Sequence, residues 1–473
     1  MIKKIKTYEE KARLLEPSIE KRTLWQKKVE QYAFNFLDKI DNTKAFVQTE
    51  TKGKDLLNYP FSNAPISIEK ALSILDKNVD TLGLNPASGG HLGYIPGGGI
   101  FPTALGDYLA AVTNRYAGIF FGGPGAVRVE NMLIRWMCSI MGYPSDAFGN
   151  LASGGSIGNL TAIVTARDFK KITPQNIPNS VIYLTDQVHH CVQKAIRIAG
   201  LQQAQTTYIP VDDQFKMDTN FLRQQIKKDK QAGKNPFLLI GSAGTTNVGA
   251  IDPLDTLADL AEEFNLWFHV DAAYGGFFIL TEEGKAKLKG IERSDSVVID
   301  PHKGLFLSYG LGAVLIKNVK ALQDAHQYQA SYMQDAQRGI DEPSPADLSP
   351  ELTKHFRGLR LWLPLQLYGL APFKAALTEK LMLTQYFYHE IQTLGFEVGP
   401  FPELSVMIYR YVPQNGDAND FNARLTQFVH ADGRVFLSST TIDGVFWIRI
   451  AILAFRTHLN TIDLCLEVLK KGV

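Results

Sequence analysis

Short apolar runs that alternate with helical patterns impose the strongest constraint on the fold of this chain. Each run is bounded by polar or turn-forming residues and fits a strand buried on both faces. The runs lie at 181–184, 237–240, 267–270, 297–299 and 313–316. Amphipathic helical stretches, as at 218–229 and 254–264, separate several of them. Buried strands that alternate with helices predict an α/β domain with a mainly parallel sheet.

The length of 473 residues exceeds what one core supports, because hydrophobic cores stop growing near about 250–300 residues. We therefore predict an N-terminal helical segment over 1–85, a large α/β domain over 86–355, and a small α+β domain over 356–473. Strand-like stretches at 406–411 and 446–451 belong to the last part.

Large apolar residues in the N-terminal segment follow a helical spacing. Trp25, Val29, Tyr32 and Phe36 share one helix face, and Ser67 fits the N-cap of a later helix. Helices this isolated need another surface to bury against, which is either the main domain or a second subunit.

Composition argues against several classes of partner. The formal net charge is +1, which gives no electrostatic case for nucleic acid or an anionic membrane. The basic N-terminus has no apolar core behind it, and no stretch reaches the roughly 20 apolar residues that span a bilayer. Cys138, Cys191 and Cys465 are far apart and form no CxxC motif. We expect a soluble, cytoplasmic protein without disulfides.

A Gly-rich loop at 153–159 opens a helix. Backbone N–H groups at a helix start favour anions, and glycines let a phosphate approach the backbone. The Ser156 hydroxyl adds a donor. The alternative interpretation of this loop is an ordinary Gly-rich turn before a helix.

Three more polar positions follow predicted strands. Asp271 could cap a helix, bind a metal or pair with a cationic ring. Lys303, between His and Gly, is a candidate for forming a Schiff base, although a solvated turn lysine is the alternative. His189 could lie flat on a bound ring or be structural, and nearby Cys191 has no paired base.

Together these motifs supply one contact for each part of pyridoxal 5′-phosphate: its phosphate, ring face, ring nitrogen and aldehyde. Their order resembles that of the group II pyridoxal-dependent decarboxylases, which include aromatic-L-amino-acid, histidine, tyrosine and glutamate decarboxylases. The resemblance extends from about Ser88 to Arg456 and is most specific at 269–274 and 301–303. The segments 94–96, 356–362 and 447–450 also resemble the family.

The resemblance implies the aspartate-aminotransferase architecture of fold type I and a homodimer with shared active sites. It also implies that Lys303 holds the cofactor covalently, Asp271 pairs with the ring nitrogen and His189 stacks on the ring. The cofactor contacts that it implies are Gly155, Ser156, His189, Thr246, Asp271, His302 and Lys303. No metal is expected.

A polar, Pro-containing stretch at 326–350 resembles the family's mobile loop. The resemblance implies that Tyr332, in this stretch, donates a proton to the substrate carbon after CO2 leaves, beneath a lid that excludes water. In relatives, Phe at this position diverts the reaction towards an aldehyde, so Tyr favours simple decarboxylation.

Three positions depart from the family pattern: Asp300, where many relatives have Asn near the phosphate, Gly304, where animal aromatic decarboxylases have Trp, and Ile157, where Glu is common. They put a close match to any one subfamily in doubt.

We expect an apolar or aromatic substrate pocket, with Tyr94, Phe101 and Arg449 as substrate-binding residues and an aromatic amino acid as the favoured substrate. Histidine and glutamate stay open as substrates. Other aromatic-pocket candidates are Ile95, Phe120 and Phe121. Two other enzyme activities stay open, a carbon–carbon lyase and an aminotransferase that uses Arg449 or Arg357. A third alternative is a cofactor-binding pseudoenzyme.

Overall fold

The computed structural model describes residues 1–327 and 341–473. The N-terminal segment contains helices α1 (Ile2–Ala12), α2 (Ile19–Lys39) and α3 (Ile68–Leu75). It also contains a two-stranded antiparallel ribbon formed by β1 (Phe46–Val47) and β2 (Gly83–Leu84), so the helical prediction for this segment was incomplete.

The N-cap prediction at Ser67 is confirmed, since its hydroxyl accepts the Lys70 N–H. Much of the apolar surface of the first two helices is exposed, including Ile5, Tyr8, Trp25 and Val29.

The large α/β region alternates strands and helices, as the apolar runs predicted. Its helices and strands are α4 (Phe101–Thr113), α5 (Pro124–Ile140), β3 (Phe148–Ala152), α6 (Gly155–Phe169), β4 (Ser180–Leu184), α7 (His190–Ile198), β5 (Gln205–Tyr208), α8 (Thr219–Gln231), β6 (Asn235–Ser242), α9 (Leu254–Phe264), β7 (Trp267–Asp271), α10 (Glu282–Lys287), β8 (Ser296–Ile299), α11 (Pro301–Gly304), β9 (Gly312–Ile316) and α12 (Val319–His326).

Seven strands form one sheet in the order β3-β9-β8-β7-β6-β4-β5. Strand β9 runs antiparallel to both of its neighbours, whereas the other six strands share one direction. The predicted mainly parallel sheet is therefore confirmed. Strands β3, β4, β7 and β8 are buried along their whole length, because helices cover both faces. The carboxyl ends of the six codirectional strands meet at one edge.

The C-terminal region is a smaller α+β unit, and the strands predicted near 406–411 and 446–451 are present. Its helices and strands are α13 (Gly358–Tyr368), α14 (Ala371–Thr393), β10 (Phe396–Val398), β11 (Val406–Tyr411), α15 (Ala418–Asp432), β12 (Ser438–Ile442), β13 (Val445–Ala451) and α16 (Leu459–Gly472). The four strands form an antiparallel sheet in the order β10-β11-β13-β12.

Two large hydrophobic cores meet within α14. Phe373 and Leu377 on its first half belong to the core of the seven-stranded sheet. Phe387 and Ile391 on its second half belong to the core of the four-stranded sheet. One continuous helix thus belongs to both cores, and the proposed boundary at 356 stays a prediction.

The three cysteines are free and buried. Among the described helices, none combines the length and the apolar character that crossing a membrane requires.

Candidate active site

The predicted cofactor residues converge on one cavity of about 810 Å³ at the carboxyl edge of the large sheet. The sequence-predicted residues that line it are Tyr94, Gly155, Ser156, His189, Thr246, Asp271, His302, Lys303 and Arg449. Each of the large-sheet residues follows a strand, because the parallel strands deliver their carboxyl ends to the same place.

Lys303 lies on the single turn of α11, directly after β8. Its Nζ is 2.9 Å from Asp300 Oδ2, and that carboxylate is almost fully buried. Burial lowers the pKa of Lys303, but the charge of Asp300 and its hydrogen bond outweigh burial, so the net shift is upward. In the cofactor-free chain this lysine is therefore held as an ammonium.

Asp271 ends β7 with both carboxylate oxygens engaged. Oδ1 accepts the Ala273 N–H at 3.1 Å, and Oδ2 accepts from Asn159 Nδ2 at 3.2 Å. Burial raises the pKa of Asp271, while the nearby Lys303 charge opposes the rise. A cationic ring nitrogen beside this carboxylate would relieve the cost of burying its charge.

A buried chain of hydrogen bonds behind Asp271 sets its orientation. Asn159 Oδ1 lies 2.8 Å from His269 Nε2, and His269 Nδ1 lies 2.8 Å from Ser296 Oγ. Trp267 Nε1–H donates to the same Ser296 hydroxyl. Both Asn159 and His269 occur in the sequence motifs, but their positioning role emerges only from the fold.

His189 is the N-cap of α7, and its Nδ1 accepts the Cys191 N–H at 3.3 Å. Burial and the adjacent His190 lower the pKa of His189 to about 4, so the ring is neutral at neutral pH. With Nδ1 as acceptor, Nε2 carries the proton. Cys191 also lines the cavity, and burial raises its pKa to about 12, which keeps it a thiol.

Glycines form a cradle where α6 begins. The first N–H groups of a helix have no partner within it, and those of α6 belong to Gly155 and Ser156. A Cβ on Gly155 would lie 3.1 Å from Ala273 Cβ and 3.0 Å from Asp300 Oδ2. A side chain at this position would crowd Ala273 and the Asp300 carboxylate, so glycine lets the start of α6 pack close to both. The N–H groups at a helix start favour anions.

Arg449, on β13, is buried at the other wall of the cavity. It donates to the backbone carbonyls of Thr246 and Tyr94 at 2.7 and 3.0 Å and to Ser438 Oγ at 3.1 Å. Its Nη2 is buried and has no hydrogen-bond partner among the described residues. Burial lowers the pKa of Arg449 to about 10. The guanidinium therefore stays charged at neutral pH, and its Nη2 is available to donate to a ligand.

Not every predicted pocket residue reaches the cavity. Ile95 lines it, but Phe120 is buried elsewhere beneath Arg128, and Phe121 is exposed. Phe101 is absent from the lining of its own chain's cavity; it is partly exposed at the start of α4, where it faces Phe34. Tyr332 lies outside the described residues.

The residues fit pyridoxal 5′-phosphate. An amine, a carboxylate, a neutral imidazole and a glycine cradle surround one cavity, as the sequence motifs require. Within residues 1–327 and 341–473, no group of three or more acidic, His or Cys side chains is arranged to hold a metal ion. Fold and site together define an enzyme of the pyridoxal-phosphate fold type I class.

Comparison with known proteins identifies the family. Residues 63–412 match the family model of the pyridoxal-dependent decarboxylase conserved domain. An aromatic-L-amino-acid decarboxylase of Bacillus atrophaeus is 32% identical over 431 residues, which cover 89% of each chain. This chain belongs to the pyridoxal-dependent decarboxylase family, and the predicted family, cofactor and enzyme class are confirmed.

More distant relatives include a protein that is named for an aldehyde product. A phenylacetaldehyde synthase of Petunia hybrida is 28% identical over 86% of this chain and 85% of its own. The crystal structure of Catharanthus roseus tryptophan decarboxylase in complex with L-tryptophan has the same fold, with a TM-score of 0.88 at 22% identity over 96% of this chain and 98% of that one.

Proposed function

We propose that this enzyme decarboxylates an aromatic L-amino acid to the corresponding amine, with Lys303 as the cofactor-binding lysine. The convergence of Lys303, Asp271 and His189 on one cavity beside a glycine cradle is the observation that supports this assignment most strongly. When bound, pyridoxal 5′-phosphate supplies the electron sink for the electron pair that the departing CO2 leaves behind.

The side chains divide the work of holding the cofactor. The N–H groups of Gly155 and Ser156 would bind its phosphate, with His302 nearby. The Asp271 carboxylate, fixed by Asn159, would keep a proton on the ring nitrogen. The neutral ring of His189 would pack on the cofactor ring without adding a competing charge.

Arg449 is our assignment for binding the substrate carboxylate. Its Nη2 is the spare donor described above, and the side chain lines the cavity. Buried guanidinium groups bind carboxylates strongly because both the charge and the hydrogen bonds are then satisfied. By holding the carboxylate, Arg449 would orient the bond that breaks.

The substrate side chain would contact aromatic walls. Tyr94, Tyr274 and Tyr309 line the cavity, which suits an aromatic ring. The Bacillus relative, named for aromatic L-amino acids, supports the same substrate class. We assign the final protonation of the substrate carbon to Tyr332 on the basis of the family resemblance.

We also propose a cytoplasmic homodimer in which Phe101 reaches the active site of the other copy. Exposed apolar residues on α4 support a second copy on this face: Phe101, Leu105, Tyr108, Leu109 and Val112. Three free, buried cysteines support a reducing compartment.

A product screen tests the function. The purified chain with added pyridoxal 5′-phosphate should release CO2 and form an amine from at least one aromatic amino acid. Lys303→Ala should lose this turnover and the visible absorbance of the lysine-bound cofactor, and borohydride should fix the cofactor to Lys303 in the unaltered protein. Conversion to a keto acid would indicate an aminotransferase, aldehyde formation would indicate the Petunia type of reaction, and cofactor binding without turnover would indicate a pseudoenzyme.

A further inference from the structure

A second cavity, which we call the side cavity, lies next to the cofactor cavity. It has a volume of about 400 Å³ and is lined by residues of the N-terminal segment and of the loop between α11 and β9. Its apolar lining residues include Phe36, Val79, Leu84, Pro86 and Leu307. Among the residues that the structure describes, Asp80 is the one charged residue of the lining, and its carboxylate accepts the Tyr32 hydroxyl. The side cavity therefore suits an uncharged, apolar group.

Two short stretches of chain run from one cavity to the other. The segment 94–99 lines the cofactor cavity at its first two residues and the side cavity at its last two. In the loop after α11, Ser308 lines the side cavity, Gly310 lines the cofactor cavity, and Tyr309 between them lines both. Tyr309 therefore lies at the boundary between the two cavities.

The backbone at Tyr309 is fixed to α13. Its carbonyl accepts a hydrogen bond from Arg360 Nη1 at 2.7 Å, and Arg360 Nε donates to Asp107 Oδ1 on α4 at 2.9 Å. Gly310 has a φ of +103°, and a Cβ at this position would lie 2.7 Å from Arg360 Nη1. Tyr309 itself is 56% exposed. A smaller side chain at this position therefore leaves the backbone contacts of the loop intact.

The ring of Tyr309 has a defined place beside the cofactor site. It packs edge-on against His302, with the two ring centroids 5.9 Å apart. His302 is held in turn, because its Nδ1 lies 2.6 Å from the Leu311 carbonyl oxygen. Since His302 precedes Lys303 in α11, the Tyr309 ring stands at the end of the cofactor cavity that faces the side cavity.

We propose that Tyr309 is a specificity-determining residue and that the side cavity is a subsite for an apolar extension of the substrate side chain. The ring of Tyr309 closes the passage between the two cavities and so limits the length of side chain that the enzyme accepts. Removing the ring joins the cavities and lets a second aromatic ring enter the side cavity. The inference rests on the proposed function and goes beyond it by naming the residue that sets the size of the substrate.

Two amino acids that differ by one phenyl ring test the proposal, L-phenylalanine and 4-phenyl-L-phenylalanine. With the holoenzyme, Tyr309→Ala should raise the ratio of kcat/KM for the longer to that for the shorter substrate at least about tenfold, since one methylene in a hydrophobic pocket is already worth about 10–200-fold. Equilibrium dialysis of the two product amines against the holoenzyme should show the same shift in the ratio of their affinities. This second measurement needs no turnover and decides the outcome if either amino acid reacts too slowly.

Further variants separate the shape of the ring from other effects. Tyr309→Phe keeps the ring and should keep the ratio, whereas Tyr309→Val is a second small variant that should raise it if Tyr309→Ala does not fold. Val79→Trp places a large side chain in the side cavity at a residue that is 47% exposed, so the double variant Tyr309→Ala/Val79→Trp should lose the gain. Tyr208→Ala, at an exposed position on β5 outside both linings, is the matched control and should leave the ratio unchanged.

The proposal is wrong if neither small variant raises the ratio, as would happen if a second copy of the chain fills the side cavity. It is also wrong if Tyr309→Phe raises the ratio as much as Tyr309→Ala, or if the gain persists in the double variant. If the unaltered holoenzyme decarboxylates no amino acid at all, the proposed function itself is wrong, which is a different result.

Discussion

Asp271 illustrates how one side chain depends on residues far away in sequence. Its Oδ2 is held by Asn159, which His269 holds in turn. A carboxylate fixed on both oxygens need not reorganise when a cationic ring arrives, and such preorganisation is a main source of electrostatic catalysis.

We predict that Asp271→Asn retains the cofactor but loses activity by roughly 10²–10³-fold, since a neutral amide does not stabilise a proton on the ring nitrogen. The measurement is kcat with the best substrate of the screen, alongside cofactor content from absorbance. Activity within a few-fold of the unaltered enzyme would reduce Asp271 to a structural cap.

Lys303, Asp271 and His189 each follow an apolar run in the sequence, and the structure brings all three to one cavity. The roles that the family resemblance implies for them stay predictions. The contact of Asn159 with Asp271 was not predictable, because it joins residues that are 112 positions apart in the sequence. Aromatic residues near 101–121 misled the pocket prediction for Phe120 and Phe121, since hydrophobicity alone does not say which cavity a ring enters.

Among the elements, the segment from 341 to α13 is more firmly held than its polar sequence suggested. Glu342 binds Arg135 through two hydrogen bonds and also accepts from Asn131, both on α5. Further on, Lys354 and Glu130 form a buried ion pair at 2.6 Å, and Glu130 also accepts the Gly358 N–H at the start of α13. These contacts fix the segment to α5.

We predict that Lys354→Met lowers the free energy of unfolding by about 3–5 kcal/mol, because it leaves the Glu130 charge buried without its partner. The double variant Glu130→Gln/Lys354→Met should recover a large part of this loss, since the uncompensated charge is gone while an amide oxygen still accepts the Gly358 N–H. Urea unfolding of the three proteins measures the difference. If the single and double variants lose the same free energy of unfolding, the loss comes from packing and not from the unpaired Glu130 charge, and the prediction is wrong.

Five of the seven large-sheet strands were predicted from their apolar runs, because strands that are buried on both faces are mostly apolar. The prediction missed β3, which is buried but contains Gly149 and Asn150, and the polar edge strand β5. The ribbon of β1 and β2 pairs only two residues on each strand, and pairing across 35 intervening positions leaves no local pattern. The attachment of residues 341–358 to α5 was not predicted either, because it depends on charged residues of α5 that are distant in the sequence.

The molecule as a whole buries histidines that must be neutral. Burial lowers the pKa of His91, His189 and His269 to about 4. An unfolded chain has histidines near pKa 6.5. Their contribution to stability is therefore complete above about pH 6.5 and is lost as the pH falls through about 4.

We predict that the midpoint of urea unfolding drops between about pH 7.5 and about pH 4.5, and that His91→Leu makes this drop smaller. His91 is the best choice because both of its ring nitrogens lack partners among the described residues, so the substitution removes a titrating group without breaking a hydrogen bond. His389→Leu, at an exposed position on α14, is the control and should leave the pH dependence as it is. A drop that is identical in His91→Leu and the unaltered chain would contradict the assignment.

Helix α14, which belongs to both cores, affects how the enzyme recognises the different parts of a substrate. Lys303 lies at the edge of one sheet and Arg449 lies on the other, and the 23 residues of α14 join their cores without a break. The two sheets cannot swing apart without bending that helix. On our assignments, α14 thus fixes the distance between the cofactor-binding lysine and the arginine that binds the substrate carboxylate. This distance concerns the part of the substrate that every amino acid has in common. Discrimination among amino-acid side chains would then depend on the loops and, in the proposed dimer, on the second copy, which can vary without changing this distance.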